Sequence, residues 1–278
     1  MSAAVSPLFL ERYELKYVIP ISLVEPICRF IEPYVEMDYY SQISPDKYYT
    51  INSLYLDTPT LYFLRQKDMG LTNRFSMRIR SYGDGSKPPY FFETKYKVRE
   101  FVKKKRGKVK FTNWNELFGD REAVEELLAT VEPDSRANVE HFLNLTLTYN
   151  TSPVILTQYR RLAFLSTIDD YARVTFDRDL RYAEENRLII DANDRVLSHY
   201  DHPDAFLDSG TNVILELKAE RKVPQWIIDV IQKFNLTQGS FSKFGNSMET
   251  MYMNRFGMEK SDLHPAEHFA PLSAFWRP

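Results

Sequence analysis

Strict alternation of charged and apolar residues returns along this chain, and it points to β-strands with one charged face and one apolar face. In "RYELKY", Arg12, Glu14 and Lys16 fall on one side, Tyr13, Leu15 and Tyr17 on the other. In "RFSMRIRSY", Arg74, Ser76, Arg78 and Arg80 oppose Phe75, Met77 and Ile79. In "FFETKYK", Glu93, Lys95 and Lys97 oppose Phe92, Thr94 and Tyr96, and "VKKKRGKV" aligns Lys104, Arg106 and Lys108. Later rows align Tyr159 with Arg161, Arg173 with Thr175 and Asp177, and Glu216 with Lys218.

A single row of this kind is what any antiparallel sheet with one wetted face shows. Here, however, arginine and lysine dominate the rows, with one carboxylate in several of them, and the opposite faces are rich in aromatics. If helices cover the apolar faces, the charged faces line an interior. So many cations at close range repel one another by an amount on the order of kcal/mol per pair at effective protein dielectrics. Such an interior needs a polyanion. Arginine matches phosphate oxygens with forked donors, and lysine adds mobile point charges. The carboxylates Glu14, Glu93 and Glu216 would hold a divalent cation or partner nearby cations, and hard oxygen ligands imply Mg²⁺ or Mn²⁺.

Composition narrows the alternatives. With 278 residues, 44% of them hydrophobic, the chain can bury one large core or two small ones. A net charge of −2 gives no bulk attraction to nucleic acid or anionic membrane, and no nucleic-acid-binding motif is present. The single cysteine, Cys28, excludes an intrachain disulfide framework and suits a reducing compartment. No apolar run reaches the ~18–20 residues of a membrane span, and the N-terminus lacks the layout of a signal peptide, so a soluble cytoplasmic chain is expected.

Pro20 and the apolar spacing that follows predict a helix to about Glu36, and Asp57-Thr58-Pro59 starts another that runs to about Lys67. Residues 114–149 are helical in pattern with a break at Pro133, and helices are also expected at "VPQWIIDVIQKF" and after "FSKFG". The expected fold class is α+β: a closed antiparallel β-barrel of about eight strands with helices packed outside.

The rows match something specific. In order, Arg12-x-Glu14-x-Lys16, the Arg-x-Arg of "MRIRSYG", the Glu-x-Lys of "FFETKYK", the basic "KKKR" strand, "YRRLAF", "RVTFD", "LELK" and "FSKFG" resemble the VTC domain, the catalytic domain of the vacuolar transporter chaperone polyphosphate polymerase. That domain lies within the CYTH-like triphosphate tunnel superfamily. The resemblance covers roughly residues 11–256, and it implies a tunnel domain over 8–258 with 259–278 as a C-terminal tail. The first strand of the superfamily usually reads Glu-x-Glu-x-Lys. Arg12 in place of the first acid favours the VTC branch over the hydrolytic triphosphatases.

The resemblance implies that Lys16, Arg78, Arg80, Lys95, Arg161, Arg173 and Lys243 bind nucleotide and product phosphates, and that Glu216 coordinates the metal. Arg12, Glu14, Arg74, Glu93, Lys104, Arg106, Tyr159 and Lys218 complete the substrate-binding rows, with the register of Lys104 and Arg106 left open by the run Lys103–Arg106. The implied reaction moves the γ-phosphate of ATP onto a growing inorganic polyphosphate chain with Mn²⁺ or Mg²⁺. The alternatives are a triphosphate or polyphosphate hydrolase of the same fold and a non-catalytic polyphosphate- or nucleotide-binding module. Eukaryotic relatives carry an SPX domain and membrane helices that this sequence lacks, so coupling to transport would require a separate membrane-protein partner.

Overall fold

The computed structural model describes residues 12–99, 101–110, 121–169, 171–192, 195–201, 212–220 and 222–256, with the side chains of residues 12, 101 and 121 excepted. The tail expected at 259–278 and the helical pattern expected at 114–120 lie outside the described residues. The chain divides into two compact units, residues 1–48, 161–178 and 208–241 in one, and 49–160, 179–207 and 242–278 in the other.

The fold is mixed α+β. Ten strands and seven α-helices are described: β1 (Arg12–Pro20), α1 (Val24–Ile31), β2 (Val35–Met37), α2 (Tyr39–Ile43), β3 (Tyr49–Asp57), α3 (Tyr62–Asp68), β4 (Asn73–Tyr82), β5 (Tyr90–Val98), β6 (Phe101–Val109), α4 (Arg121–Thr130), α5 (Pro133–Tyr149), β7 (Ser152–Ser166), β8 (Ala172–Glu184), β9 (Ser198–His199), β10 (Asn212–Glu220), α6 (Gln225–Lys233) and α7 (Lys243–Phe256). The first helix stops sooner than its apolar spacing predicts. Pro33 has no N–H to continue the ladder, so the chain passes through a 3-10 turn, Glu32–Tyr34, into β2.

In the first unit β10 lies between β1 and β8, antiparallel to both, and β2 pairs with the C-terminal end of β7. The register sets Lys16 opposite Glu216, Glu14 opposite Lys218, and Lys218 opposite Arg173. Alternation then decides the faces: Tyr17, Val174, Phe176, Leu215 and Leu217 enter a core with Ile27, Ile31, Trp226 and Ile227 from the helices. In the second unit β3, β4, β5 and β6 form an antiparallel meander. Leu54, Leu56, Met77, Ile79 and Phe92 point to its helix-covered side, against Leu127, Val139 and Phe142. Each fully buried aliphatic or aromatic side chain contributes roughly 1.5–3 kcal/mol, which is what commits the opposite faces to the charged rows.

The closed barrel expected from the sequence is not what forms among the described residues. The strand order β1-β10-β8-β7-β3-β4-β5-β6 is an open path whose ends, β1 and β6, are not paired to each other. Each end strand has a contact from outside the sheet. The Asn138 side chain of α5 donates to the Arg106 carbonyl of β6 at 3.0 Å. Gly107 lets α5 come that close, since a Cβ there would collide with Val139. At the other end Gly239 N–H donates to the Lys16 carbonyl at 3.0 Å, and Tyr17 forms an isolated bridge with Gln238. No helix among the described residues is long and apolar enough to cross a membrane.

Candidate functional site

The two units each carry a cluster of charged side chains built on a Glu-x-Lys strand, and the clusters differ in their balance of charge.

In the second unit the centre is Glu93 on β5, buried to 1% exposure. Its neighbours come from the two flanking strands because register sets Arg78 of β4 and Arg106 of β6 opposite it. Arg78 reaches Oε2 with Nε at 2.8 Å and with a terminal nitrogen at 2.7 Å. Arg106 Nε lies 3.2 Å and Lys104 Nζ 3.4 Å from Oε1, and Arg80 Nε is 4.0 Å from Oε2. Four cations therefore surround one carboxylate. Burial alone would raise its pKa, but the charges of Arg78, Arg80, Lys104 and Arg106 hold it well below the ordinary carboxylate range.

The guanidiniums are positioned by aromatic residues. Arg78 donates to the Tyr55 hydroxyl at 3.2 Å, Arg80 to the Tyr159 hydroxyl at 3.2 Å, and Arg106 to the Tyr82 hydroxyl at 3.1 Å. Arg106 also stacks over Phe91 at 3.6 Å. Burial would raise the Tyr82 phenol, but Arg80 and Arg106 bring it below its ordinary value. Even so, the Nε of Arg80 is buried without a hydrogen-bond acceptor among the described residues, whereas that of Arg106 has Glu93 Oε1 at 3.2 Å. Buried donors of that kind cost free energy until an acceptor arrives.

Lys104, whose side chain is 38% exposed, has its ammonium desolvated among the guanidiniums. Burial, together with Arg78, Arg80 and Arg106 acting against Glu93, pushes it down to about 8. An anion in the cluster favours the protonated form. The affinity of this cluster for inorganic tripolyphosphate is therefore expected to fall as pH rises through about 8, and Lys104→Gln is expected to flatten that profile. Calorimetric titrations across pH 7–9.5 check it; an unchanged profile in the variant would reject Lys104 as the titrating group.

In the first unit the centre is Glu216 on β10, 4% exposed. Lys218 lies 2.9 Å, Lys16 3.6 Å and Arg161 3.7 Å from its oxygens. Lys16 is shared with Glu14 at 3.2 Å and donates to the Phe241 carbonyl at 3.1 Å. Arg161 forms a forked pair with Asp177, at 2.6 and 2.7 Å, and Arg173 meets Asp38 at 2.9 Å. Each of these four cations already faces a carboxylate, so this cluster is close to neutral where the Glu93 cluster is in surplus.

The remaining residues expected from the sequence are placed as follows. Lys243, 8% exposed at the start of α7, sets its ammonium 4.6 Å from the Tyr159 ring. Lys95 is half-buried, in register opposite Ser76 and Lys104. Arg74 donates to the Leu71 carbonyl and is not drawn into the Glu93 ion pairs described above. Arg12 lies in β1, opposite Glu220. Sequence reasoning missed Asp38, Tyr55 and Tyr82. Tyr55 was within reach, since Ser53, Tyr55 and Asp57 form a polar row in "NSLYLD". Asp38 has no such row: it caps α2 by accepting from Ser41 N–H, and only the fold brings it to Arg173.

Glu14 and Glu216 each reach the same Lys16 ammonium, so two hard-oxygen carboxylates converge on one cationic position. No group of three or more His, Cys, Asp or Glu side chains suited to a metal occurs among the described residues.

Comparison with known proteins adds the following. The family model of the VTC domain matches residues 11–252. Subunit 4 of the vacuolar transporter chaperone complex of Trypanosoma brucei brucei is 28% identical over 133 residues, which cover 42% of this chain and 16% of that subunit. Among solved structures, the PH1819 protein of Pyrococcus horikoshii OT3 gives a TM-score of 0.41 at 10% identity, over 87% of this chain and 99% of that one. The Mediator head module of Schizosaccharomyces pombe gives 0.33 at 9% identity, over 88% and 95%. Scores that low do not establish a shared fold.

Proposed function

The chain belongs to the VTC domain family, and from that footing we propose that it is a polyphosphate polymerase, transferring the γ-phosphate of ATP to a growing inorganic polyphosphate chain. The observation that carries this reading is the Glu93 cluster: four cations about one carboxylate, with the buried Nε–H of Arg80 left without an acceptor among the described residues. A phosphate chain supplies oxygens at the density such donors need.

The reaction asks little covalent chemistry of the protein. A terminal phosphate oxygen of the acceptor attacks the γ-phosphorus, the bond to the β-phosphate oxygen breaks, and ADP leaves. Catalysis is then alignment and neutralisation of charge on the phosphate oxygens. Arg78, held by Glu93 and Tyr55, and Arg80, held by Tyr159, offer rigid forks for this purpose. A polymer terminus is already anionic, so no strong general base is required. Glu216, with Glu14 beside the same lysine, would hold Mn²⁺ or Mg²⁺. The ion, when bound, neutralises phosphate oxygens. Lys16 and Lys218 are the mobile charges of that cluster, free to exchange a carboxylate for a phosphate oxygen.

Purified protein incubated with ATP and Mn²⁺ or Mg²⁺ tests the reading on a polyphosphate gel. A ladder of polymer with release of ADP supports it. Free phosphate without polymer would make the chain a tunnel-type hydrolase, and tight polyphosphate binding without turnover would make it a binding module. Arg78→Ala is expected to weaken tripolyphosphate binding about tenfold or more, since hydrogen bonds to charged groups are worth roughly 1.5–3 kcal/mol. Full affinity in that variant would remove Arg78 from the site.

A further inference from the structure

The charged face of the β3–β6 meander changes character along its strands. Toward one end its rows run out through Lys95 to Arg74, which register sets opposite Lys97, with Val102 of β6 on the other side of Lys97. Toward the other end they finish in Tyr82 on β4 and Phe91 on β5, with Arg80 and Lys108 opposite Phe91 on its two sides. The first end is cationic. The second sets aromatic rings among its cations.

Alternation keeps Phe91 out of the core. Its neighbours Tyr90 and Phe92 enter the helix-covered side, so Phe91 takes the opposite face, where Arg106 lies over its ring at 3.6 Å. Tyr82 meets Phe91 edge to face with centroids 5.6 Å apart, and its hydroxyl accepts from Arg106 at 3.1 Å. Tyr49 of β3 adds a third ring, 6.2 Å from that of Tyr82. Phe91 and Tyr82 are each half-buried, and the turn between their strands, residues 83–89, is exposed at every position except Gly85. The aromatic end therefore lies beside solvent.

Inorganic polyphosphate gives no reason for such an end, since its charge is the same along its whole length. A nucleoside triphosphate has the matching asymmetry, with a flat aromatic base at one end and a run of anionic oxygens at the other. Bases stack on aromatic rings and on guanidinium planes, and this end offers both. Arg106 joins the two halves: its guanidinium covers Phe91 while its Nε faces Glu93 at 3.2 Å. One step of the row, about 7 Å along the strand, separates Phe91 from Glu93.

We propose that the Phe91–Tyr82 end of this face receives the base of the nucleoside triphosphate, whose phosphates then run along the rows over Arg80, Arg106 and Arg78. The proposal rests on the phosphate-binding reading of the Glu93 cluster and supplies the part of the nucleotide that the cluster itself has no means to recognise. Phe91 is then a specificity-determining residue, one that distinguishes a nucleotide from a bare triphosphate.

The β,γ-imido analogue of ATP, which keeps the base and resists turnover, and inorganic tripolyphosphate are titrated by calorimetry into wild type, Phe91→Leu, Phe91→Trp and Arg78→Ala. Phe91 also supports Arg106, so both ligands feel its loss, and the informative quantity is the ratio of the two affinities. Phe91→Leu is expected to weaken the nucleotide about tenfold more than tripolyphosphate, and Phe91→Trp to keep the wild-type ratio. Arg78→Ala is expected to weaken both ligands to a similar extent. Equal losses of both ligands in Phe91→Leu would overturn the proposal, since the ring would then act only through Arg106. Wild-type affinity for the nucleotide in that variant would overturn it as well. A wild type that binds tripolyphosphate and not the nucleotide would overturn the proposal and leave the anion site standing, whereas one that binds neither would overturn both. If Phe91→Leu fails to fold, Phe91→Trp carries the test by fluorescence. The nucleotide is expected to quench its emission beyond the change seen in wild type, and tripolyphosphate is not; quenching that does not depend on the base, or none at all, would overturn the proposal.

Discussion

Replacing Glu93 with glutamine is expected to destabilise the protein by about 3–5 kcal/mol, the usual cost of removing one partner from a buried ionic group. The carboxylate is 1% exposed and compensates Arg78, Arg80, Lys104 and Arg106 together. Glutamine keeps the shape but leaves four cations facing one another. The loss is expected to show in urea denaturation and to be partly restored by tripolyphosphate, which supplies the missing negative charge and binds only the folded state. Restoration should be larger in the variant than in wild type, because the anion there replaces an absent charge. If the variant were as stable as wild type, or were unmoved by the anion, Glu93 would not be the compensating group of an anion site. The pH dependence has a definite sign. Folding holds Glu93 below its ordinary value, so its contribution is fully present above the unfolded carboxylate pKa of roughly 4.3 and is lost as pH falls towards the folded value.

Glu216→Gln is expected to abolish turnover, with polymer formation reduced by at least about 10²-fold, a magnitude typical of losing one electrostatic contact to the transition state. Its effect on folding is expected to be smaller than that of Glu93→Gln, about 1–3 kcal/mol. The reason lies in the neighbours. Arg161 keeps Asp177, and Lys16 keeps Glu14 and the Phe241 carbonyl, so only the Lys218 contact at 2.9 Å is lost without an alternative among the described residues. Polymer synthesis by ³²P transfer from labelled ATP, with circular dichroism on the same samples, separates the two effects. A variant that folds and still makes polymer at the wild-type rate would remove Glu216 from the reaction. A variant that folds, binds tripolyphosphate and makes no polymer is the expected result.

The contrast between the two glutamates shows where sequence reasoning reaches its limit. Both stand in a Glu-x-Lys pair on a strand, and alternation places both on the charged face. Nothing in that pattern distinguishes a carboxylate facing four cations from one in a balanced cluster. The distinction is one of register. Arg78 and Arg106 meet Glu93 because β4 and β6 align those positions from either side of β5. In the other unit Asp38 and Asp177, neither of them in a Glu-x-Lys pair, take up Arg173 and Arg161. The expected closed barrel failed on similar grounds. Strands with one charged and one apolar face are compatible with closure, but alternation does not say which strands pair, and the path that runs from β1 to β6 without joining them is a property of pairing.

What the sequence by itself determined is which face each residue takes. A period of two is a local property of an extended backbone, so the basic rows, their apolar backs and the α+β class could all be read from alternation. What only the tertiary structure decided is which charges meet. Pairing across strands depends on register, on helix caps such as Asp57 and Asp38, and on close approaches such as that of Val139 to Gly107, which join residues far apart in the chain. Electrostatic energy depends on distance in space and on burial, and neither is carried by spacing along the chain.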